Sequence, residues 1–167
     1  WKTVSAKEAG FDAKKIKQVL DYAEEMMSSS VVLLYQGRII AERHVHPEKD
    51  SESATPRYRR TVVDTTKDGH NVEDVASVQK SVISFLMGVA IGKGRLGLEN
   101  PASKYLGEGW SKATKEQETA ITVRHLMSMS SGLNDALEYQ VSAGTVWRYN
   151  TGAYSKTVPV LEKALGM

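Results

Sequence analysis

Residues 74–101 decide the fold of this chain, and they read DVASVQKSVISFLMGVAIGKGRLGLENP. Near the front of this stretch Ser77 and Lys80 stand three positions apart, so on a helix they face the same side. Behind them apolar residues recur at helical spacing, namely Val78, Val82, Phe85, Leu86, Val89 and Ala90. This spacing predicts a helix from Ser77 to about Lys93 that buries a broad apolar face.

The first turn of that helix combines groups that nucleophilic catalysis needs. A serine hydroxyl is a weak nucleophile until a base takes its proton, and a lysine amine serves as that base where its surroundings favour the neutral form. The N-terminus of a helix adds inward-pointing N–H groups and a partial positive charge, which stabilise an oxyanion. Ser77 is therefore a candidate nucleophile and Lys80 a candidate base. The same tetrad also occurs on solvated helix surfaces, so the surrounding sequence must show whether it is catalytic.

Two further motifs follow the tetrad: GRLGLENP at residues 94–101 and ITVRHLMSMSSGL at residues 121–133. In this order the three motifs resemble those of the serine beta-lactamase and penicillin-binding-protein superfamily. The closer likeness is to its class C-like branch, which includes esterases, D-amino-acid peptidases and 6-aminohexanoate-dimer hydrolases. The resemblance covers most of the chain from about Val31 onward.

The resemblance implies an α/β fold of the α+β type, in which an antiparallel sheet flanked by helices is combined with a mostly helical region. The site of such a fold lies between the two parts. The fold normally needs about twice this chain, and its third motif, Lys/His-x-Gly on a strand, follows the tyrosine motif. We therefore expect residues 1–167 to be the N-terminal portion of a single beta-lactamase-like domain whose later strands are missing. A C-terminal piece of the same protein is then a candidate partner.

The next candidate residues come from TVWRYNTGAY at residues 145–154. The resembled family typically has Tyr-x-Asn here, with the tyrosine facing the nucleophile, which implies a catalytic role for Tyr149. A phenol near a lysine ammonium has its pKa lowered and becomes a credible proton relay. The family's asparagine position holds Thr151, whereas Asn150 stands one place early, so both are candidates for substrate binding. From the residues alone, a loop-anchoring role for Tyr149 is favoured, and only the order of the family's motifs around it favours catalysis.

These residues predict a serine hydrolase of the Ser-x-x-Lys type that forms an acyl-serine intermediate. Its partner would be a small-molecule ester, amide or beta-lactam-like substrate, attacked at the carbonyl by Ser77 while Lys80 and Tyr149 move the proton. No cofactor and no metal is implied. Two alternatives stay open: a catalytically incomplete fragment that lacks half of the oxyanion hole, and a non-catalytic binding protein of the same fold.

Composition excludes several other classes of protein. The chain has 167 residues with a net charge of +2, so it gives no argument for nucleic acid. Three arginines around one tyrosine, Arg57, Arg59 and Arg60, read as solvated surface or as contacts for an acidic substrate. The sequence has no cysteine and no apolar run long enough to span a bilayer. Relatives that act on cell-wall peptides favour a periplasmic or extracellular location over a cytoplasmic one.

Three other patterns suggest chemistry, and a structural interpretation is favoured for each. His44 and His46 share one face of a strand, but no third metal ligand stands nearby. His125 has no residue placed as a triad partner, so it reads as a hydrogen-bonded structural histidine. The run GKGRLG at residues 92–97 satisfies GxGxxG, but it closes a helix instead of following a strand. We therefore predict neither a metal site nor a dinucleotide site.

Periodicity and turn residues predict the remaining elements. The amphipathic helix Phe11–Met27 packs one face on a sheet, and a hairpin follows it. We expect hairpin strands at Val31–Tyr35 and Ile39–Val45 and one short strand near Thr61–Val63. A short helix at Ala102–Tyr105 and a polar loop at Gly107–Glu118 should follow. The last predicted elements are a helix at Val123–Ser128 with Thr122 as its N-cap and a final helix at Thr151–Leu165 with Gly166 as its cap.

Overall fold

The computed structural model describes residues 1–45 and 61–167. These residues fall into two units, Trp1–Val75 and Ala76–Met167. His46 and the three arginines at positions 57, 59 and 60 lie outside the described residues, so the predictions made for them stay predictions. Within the described part of the chain, no helix is long and apolar enough to cross a membrane.

The first unit is built on a three-stranded sheet in the order β1-β3-β2. Its strands are β1 (Lys2–Thr3), β2 (Ser30–Tyr35) and β3 (Arg38–His44). β2 and β3 are antiparallel, and the Gln36-Gly37 turn between them has φ of 48° and 72°. Two consecutive positive φ angles match a two-residue turn that follows the twist of the strands. The predicted hairpin is confirmed, whereas β1, parallel to β3, is too short to carry a sequence signal.

One amphipathic helix, α1 (Ala13–Glu25), packs on this sheet as predicted, although it is shorter than Phe11–Met27. It starts where the Asp12 side chain accepts hydrogen bonds from the first backbone N–H groups, a normal N-cap. Arg43 on β3 ties the helix to the sheet, because its guanidinium donates to Asp21 at 2.9 Å and to Glu24 at 2.8 Å.

The first unit ends, in sequence order, with a second sheet of two strands. This sheet consists of β4 (Val62–Thr65) and β5 (Asn71–Glu73), which are antiparallel. The strand predicted near residues 61–63 is therefore confirmed with a small shift. Its partner β5 was not predicted, because three polar-flanked residues show no alternation that could be counted.

The second unit is helical in its described structure. A 3₁₀ turn at Ala76–Val78 leads into the longest helix, α2 (Gln79–Gly92). The shorter helices that follow are α3 (Ser103–Leu106), α4 (Lys115–Ala120), α5 (Val123–Met127), α6 (Thr151–Tyr154) and α7 (Thr157–Leu165). Their core side chains come from all parts of the unit and include Met87, Ala90, Ile121, Leu126 and Val160.

The face that α2 buries differs from the predicted one. Met87 and Ala90 are buried, and Ile83 and Ile91 pack partly against the same core. Of the predicted face only Ala90 is buried; the others are 38 to 70% exposed, namely Val78, Val82, Phe85, Leu86 and Val89. The physical reason is that α2 is apolar on nearly every side, so periodicity identifies a helix here without choosing its buried face.

The predicted polar loop at Gly107–Glu118 was wrong at its end, because α4 starts inside it. Thr114 forms a capping box with Gln117, in which each side chain bonds the other residue's backbone N–H. Glu118 is only 2% exposed, and its carboxylate accepts three hydrogen bonds. The donors are the backbone N–H groups of Gly109 and Ser111 and the Ser111 hydroxyl.

The predicted final helix is two helices, α6 and α7, separated by Ser155 and Lys156. Pro159 explains the break, because it has no backbone N–H and is tolerated only in the first turn of a helix, where no donor is needed. In the structure Pro159 is the third residue of α7. The predicted cap at Gly166 is confirmed: it has a left-handed conformation with φ of 75°.

Candidate active site

The candidate nucleophile Ser77 lies in the 3₁₀ turn directly before α2, not within the α-helix itself. The residue before it, Ala76, has φ of 47°, in the left-handed region that residues other than glycine seldom adopt. Strained backbone conformations of this kind persist only where the surroundings hold them, and they concentrate at functional sites. The turn leaves Ser77 exposed to solvent.

The structure brings the three predicted catalytic side chains together. The Ser77 hydroxyl oxygen lies 2.6 Å from the Tyr149 hydroxyl oxygen, and either group can be the donor. The Lys80 ammonium nitrogen donates to the same Ser77 oxygen at 3.3 Å. Lys80 also lies over the Tyr149 ring, 5.4 Å from its centroid. Residues separated by some seventy positions in sequence thus form one hydrogen-bonded cluster.

These contacts change the acidity of the tyrosine. The hydrogen bond from Ser77 is the largest cause that lowers the pKa of Tyr149, followed by hydrogen bonding and charge from Lys80. Both favour the phenolate over the phenol. Tyr149 is half exposed, so water and a substrate can reach its hydroxyl. The group best prepared to take a proton from Ser77 is therefore this phenol.

Asn150, which was predicted to bind substrate, is buried beside Tyr149 in the chain. It is 1% exposed, and its side chain is the N-cap of α6, accepting from the Ala153 N–H at 2.8 Å. Its amide nitrogen donates to the Leu133 carbonyl at 2.7 Å. Capping and burial together give Asn150 a structural role beside Tyr149, and its role in binding substrate stays a prediction.

Thr151, the other predicted substrate-binding residue, is exposed at the first position of α6. Its hydroxyl contributes a hydrogen bond that also lowers the pKa of Tyr149. Together with Lys80 and Ile83 it lines a small cavity of about 90 Å³. This geometry leaves Thr151 next to the cluster, and its role in binding substrate stays a prediction.

One member of the cluster has no signal in the sequence. Tyr154, at the end of α6, donates its hydroxyl to the main-chain carbonyl of Lys80 at 2.8 Å. Its ring centroid lies 5.7 Å from the Lys80 ammonium nitrogen. A tyrosine five positions after another has no pattern of its own, so only the folded structure reveals this contact.

His125 is structural, as predicted. Its ring nitrogen Nδ1 accepts from the Thr122 backbone N–H at 3.2 Å, while the Thr122 hydroxyl accepts from the His125 N–H. This capping box starts α5, and the predicted N-cap Thr122 is thereby confirmed. The GxGxxG run closes a helix, as predicted, because α2 ends at Gly92 and Gly94 has φ of 67°.

No group of three metal-ligating side chains occurs among residues 1–45 and 61–167. His44 lies beside His70, with ring centroids 5.8 Å apart. Since His46 is outside the described residues, the pair predicted on this strand is not tested.

A sequence model of the beta-lactamase family matches residues 24–167. The chain belongs to the beta-lactamase family, and the predicted beta-lactamase-like fold with mixed α and β structure is confirmed.

Two similar proteins extend this finding. An uncharacterized protein of Alkalihalophilus pseudofirmus is 26% identical over 141 residues, which are 83% of this chain and 36% of that protein. Among solved structures, EstCE1, described as a hydrolase with promiscuous acyltransferase activity, superposes with a TM-score of 0.62 and 19% identity. The match covers 90% of this chain and 47% of EstCE1, so the chain spans less than half the length of either relative.

Proposed function

We propose that this chain carries the nucleophile and the proton-transfer groups of a serine hydrolase that works through an acyl-serine intermediate. The observation that carries the proposal is the position of the Ser77 hydroxyl oxygen, 2.6 Å from the Tyr149 hydroxyl and 3.3 Å from the Lys80 ammonium nitrogen. Membership of the beta-lactamase family supports it. A nucleophile in hydrogen-bond reach of a base, which is itself oriented by a third group, is typical of covalent catalysis.

The first step is attack on a carbonyl carbon. Tyr149 takes the Ser77 proton as the serine oxygen forms its bond to the acyl carbon, and the lowered pKa of Tyr149 suits this phenol to act as base. The tetrahedral intermediate then collapses: the bond from the acyl carbon to the leaving oxygen or nitrogen breaks. Tyr149 returns its proton to that leaving group, so the step yields an acyl-serine and a neutral alcohol or amine.

Lys80 acts on both partners of this transfer. Its ammonium donates to the Ser77 oxygen and lies over the Tyr149 ring, so it stabilises negative charge on either oxygen while the proton moves. In the second half of the reaction, water or another hydroxyl compound attacks the acyl-serine, and Tyr149 removes the proton of that attacking group. The bond from the acyl carbon to the Ser77 oxygen then breaks, Tyr149 returns its proton to that oxygen, and the acid or the new ester leaves.

The substrate class that we propose is a small ester or amide, including strained cyclic amides of the beta-lactam type. EstCE1 is described as a hydrolase with promiscuous acyltransferase activity, which supports an exposed acyl-serine open to acceptors other than water. The exposure of Ser77 and the half exposure of Tyr149 agree with such access.

Covalent labelling tests the proposal. We expect the purified protein to gain one fluorophosphonate adduct, mapped by peptide mass spectrometry to Ser77. Ser77→Ala should lose the adduct, whereas Ser81→Ala, which changes an exposed serine in the first turn of α2, should keep it. Tyr149→Phe should slow labelling by about 100-fold or more, since a positioned acid or base contributes that much.

Two outcomes would overturn the assignment: a wild-type protein that gains no adduct, or labelling that survives in Ser77→Ala. The first result would favour the incomplete site or the binding protein, and the second would place the nucleophile elsewhere.

A further inference from the structure

Tyr154 is a buried tyrosine that contacts Lys80, the residue whose ammonium group donates to the Ser77 oxygen. Its side chain is 7% exposed, and it stands at the end of α6, five residues after Tyr149. Its hydroxyl donates to the main-chain carbonyl of Lys80 at 2.8 Å, a strong geometry for an O–H donor. This hydrogen bond connects α6 to the first turn of α2 at Lys80, whose side chain carries the ammonium group.

The Lys80 carbonyl can accept this bond without losing its place in the helix. A carbonyl oxygen has two lone pairs, so it can accept a hydroxyl as well as the N–H of the next helical turn. Lys80 is the second residue of α2, where the backbone frays most easily. A bond at this position fixes the direction in which the Lys80 side chain leaves the helix.

The ring of Tyr154 acts on the other end of the same side chain. The Lys80 ammonium nitrogen lies 5.7 Å from the Tyr154 ring centroid and 5.4 Å from that of Tyr149. Both distances are within the range in which the face of an aromatic ring attracts a cation. The two tyrosines thus flank a flexible four-carbon chain that would otherwise sample many rotamers.

The two phenols differ in acidity in a way that suits different tasks. Burial raises the pKa of Tyr154, so its hydroxyl keeps its proton and remains a donor to Lys80. Hydrogen bonds from Ser77 and Lys80 lower the pKa of Tyr149, which is exposed to the reaction.

We propose that Tyr154 is the positioning residue of the site: it holds Lys80 at the Ser77 oxygen through its hydroxyl and its ring. This inference rests on the proposed function for its catalytic consequence, but not for the position of Lys80. The hydroxyl of Tyr154 is bonded to the Lys80 carbonyl, so we expect Tyr154 to act on the reaction through Lys80.

The test removes the hydroxyl and keeps the ring. In Tyr154→Phe we expect the rate of labelling at Ser77 to fall about 10-fold, because misplacing a catalytic group by about 1 Å costs up to about 100-fold. The rising limb of its pH profile should move to higher pH, since Lys80 no longer helps to lower the pKa of Tyr149. Tyr139→Phe is the matched control: it deletes an exposed hydroxyl bonded to Ser142 and should change neither quantity.

A merely structural role would give a different result. It would lower the melting temperature and the labelled fraction of Tyr154→Phe, while the molecules that remain folded would keep the wild-type pH profile. The proposal is overturned if Tyr154→Phe keeps the wild-type pH profile or labels Ser77 within twofold of the wild-type rate.

A second measurement needs no activity. With ¹³C-labelled lysine, the side-chain signals of Lys80, assigned by their absence from Lys80→Arg, should be shifted upfield in the wild-type protein by the two rings. Ordinary lysine shifts would overturn the placement of Lys80. If wild-type Ser77 is not labelled but these signals are shifted, the proposed function fails while the placement of Lys80 between the two rings stands, and loss of part of the shift in Tyr154→Leu then assigns the contribution of Tyr154.

Discussion

Replacing Asn150 with alanine tests whether this residue supports the site or binds the substrate. The change removes the N-cap of α6 and leaves the Leu133 carbonyl without its donor. A lost asparagine cap costs about 1 kcal/mol, and a buried polar group left unpaired costs about 1–3 kcal/mol. We therefore expect a loss of about 2–4 kcal/mol in the free energy of unfolding, which for a chain of this size lowers the melting temperature by roughly 4–16 °C.

The assay is thermal unfolding followed by circular dichroism, with the labelling rate at Ser77 measured well below the transition. Gln140→Ala is the control, because it removes an amide of the same chemistry from an exposed position and should cost within about 0.5 kcal/mol. A positioning role predicts that Asn150→Ala loses stability and labels more slowly with every probe, since Tyr149 is its neighbour in the chain.

A substrate-binding role predicts the reverse. In that case Asn150→Ala would melt within about 1 °C of wild type and would raise the KM for an ester while leaving kcat nearly unchanged. That combination would refute the assignment of Asn150 as a buried cap.

Two further predictions follow from the geometry. An ultraviolet pH titration should show one tyrosine that ionises below the ordinary range of a phenol and is missing from Tyr149→Phe. Because the pKa of Tyr149 is lower folded than unfolded, its contribution to stability is present above the unfolded pKa and is lost as pH falls through the folded one. Gly88→Ala, in open space within α2, should raise the free energy of unfolding by about 0.5–1 kcal/mol, whereas Gly152→Ala, whose new Cβ would meet the Asp135 carbonyl oxygen, should lower it by about 1–3 kcal/mol. Equal melting temperatures for the two glycine variants would contradict this.

The sequence predicted the elements whose signals are local. The β2–β3 hairpin follows from two short apolar runs around Gln36-Gly37, and α1 follows from its amphipathic period. The contact between Ser77 and Lys80 was predicted from their spacing on a helix. The place of Tyr149 beside them was predicted only through the order of linked motifs, because no spacing rule connects residues so far apart in the chain.

What the sequence did not predict depends on contacts between distant segments. The apolar residues of α2 surround the helix, so the choice of Met87 for the core depends on how the other helices pack against it. Glu118 was predicted to lie in a polar loop. Its carboxylate is buried instead, and hydrogen bonds from three donors offset the free-energy cost of removing it from water. Asn150 is a good candidate ligand by residue type, and the sequence does not reveal its burial or its two backbone partners.

The segment after Tyr149 is fixed at three points, and each point explains one residue of its sequence. Asn150 is bonded to the Leu133 carbonyl, Gly152 leaves room for the Asp135 carbonyl, and Tyr154 is bonded to the Lys80 carbonyl. The first two fix the segment to the loop that follows α5, and the third fixes it to α2. A hydrogen bond of 2.6 Å between Tyr149 and a serine on another element requires such a support, because a free loop would spread the two oxygens over several ångströms. The geometry of the candidate site therefore depends on buried backbone contacts more than on the three side chains that compose it.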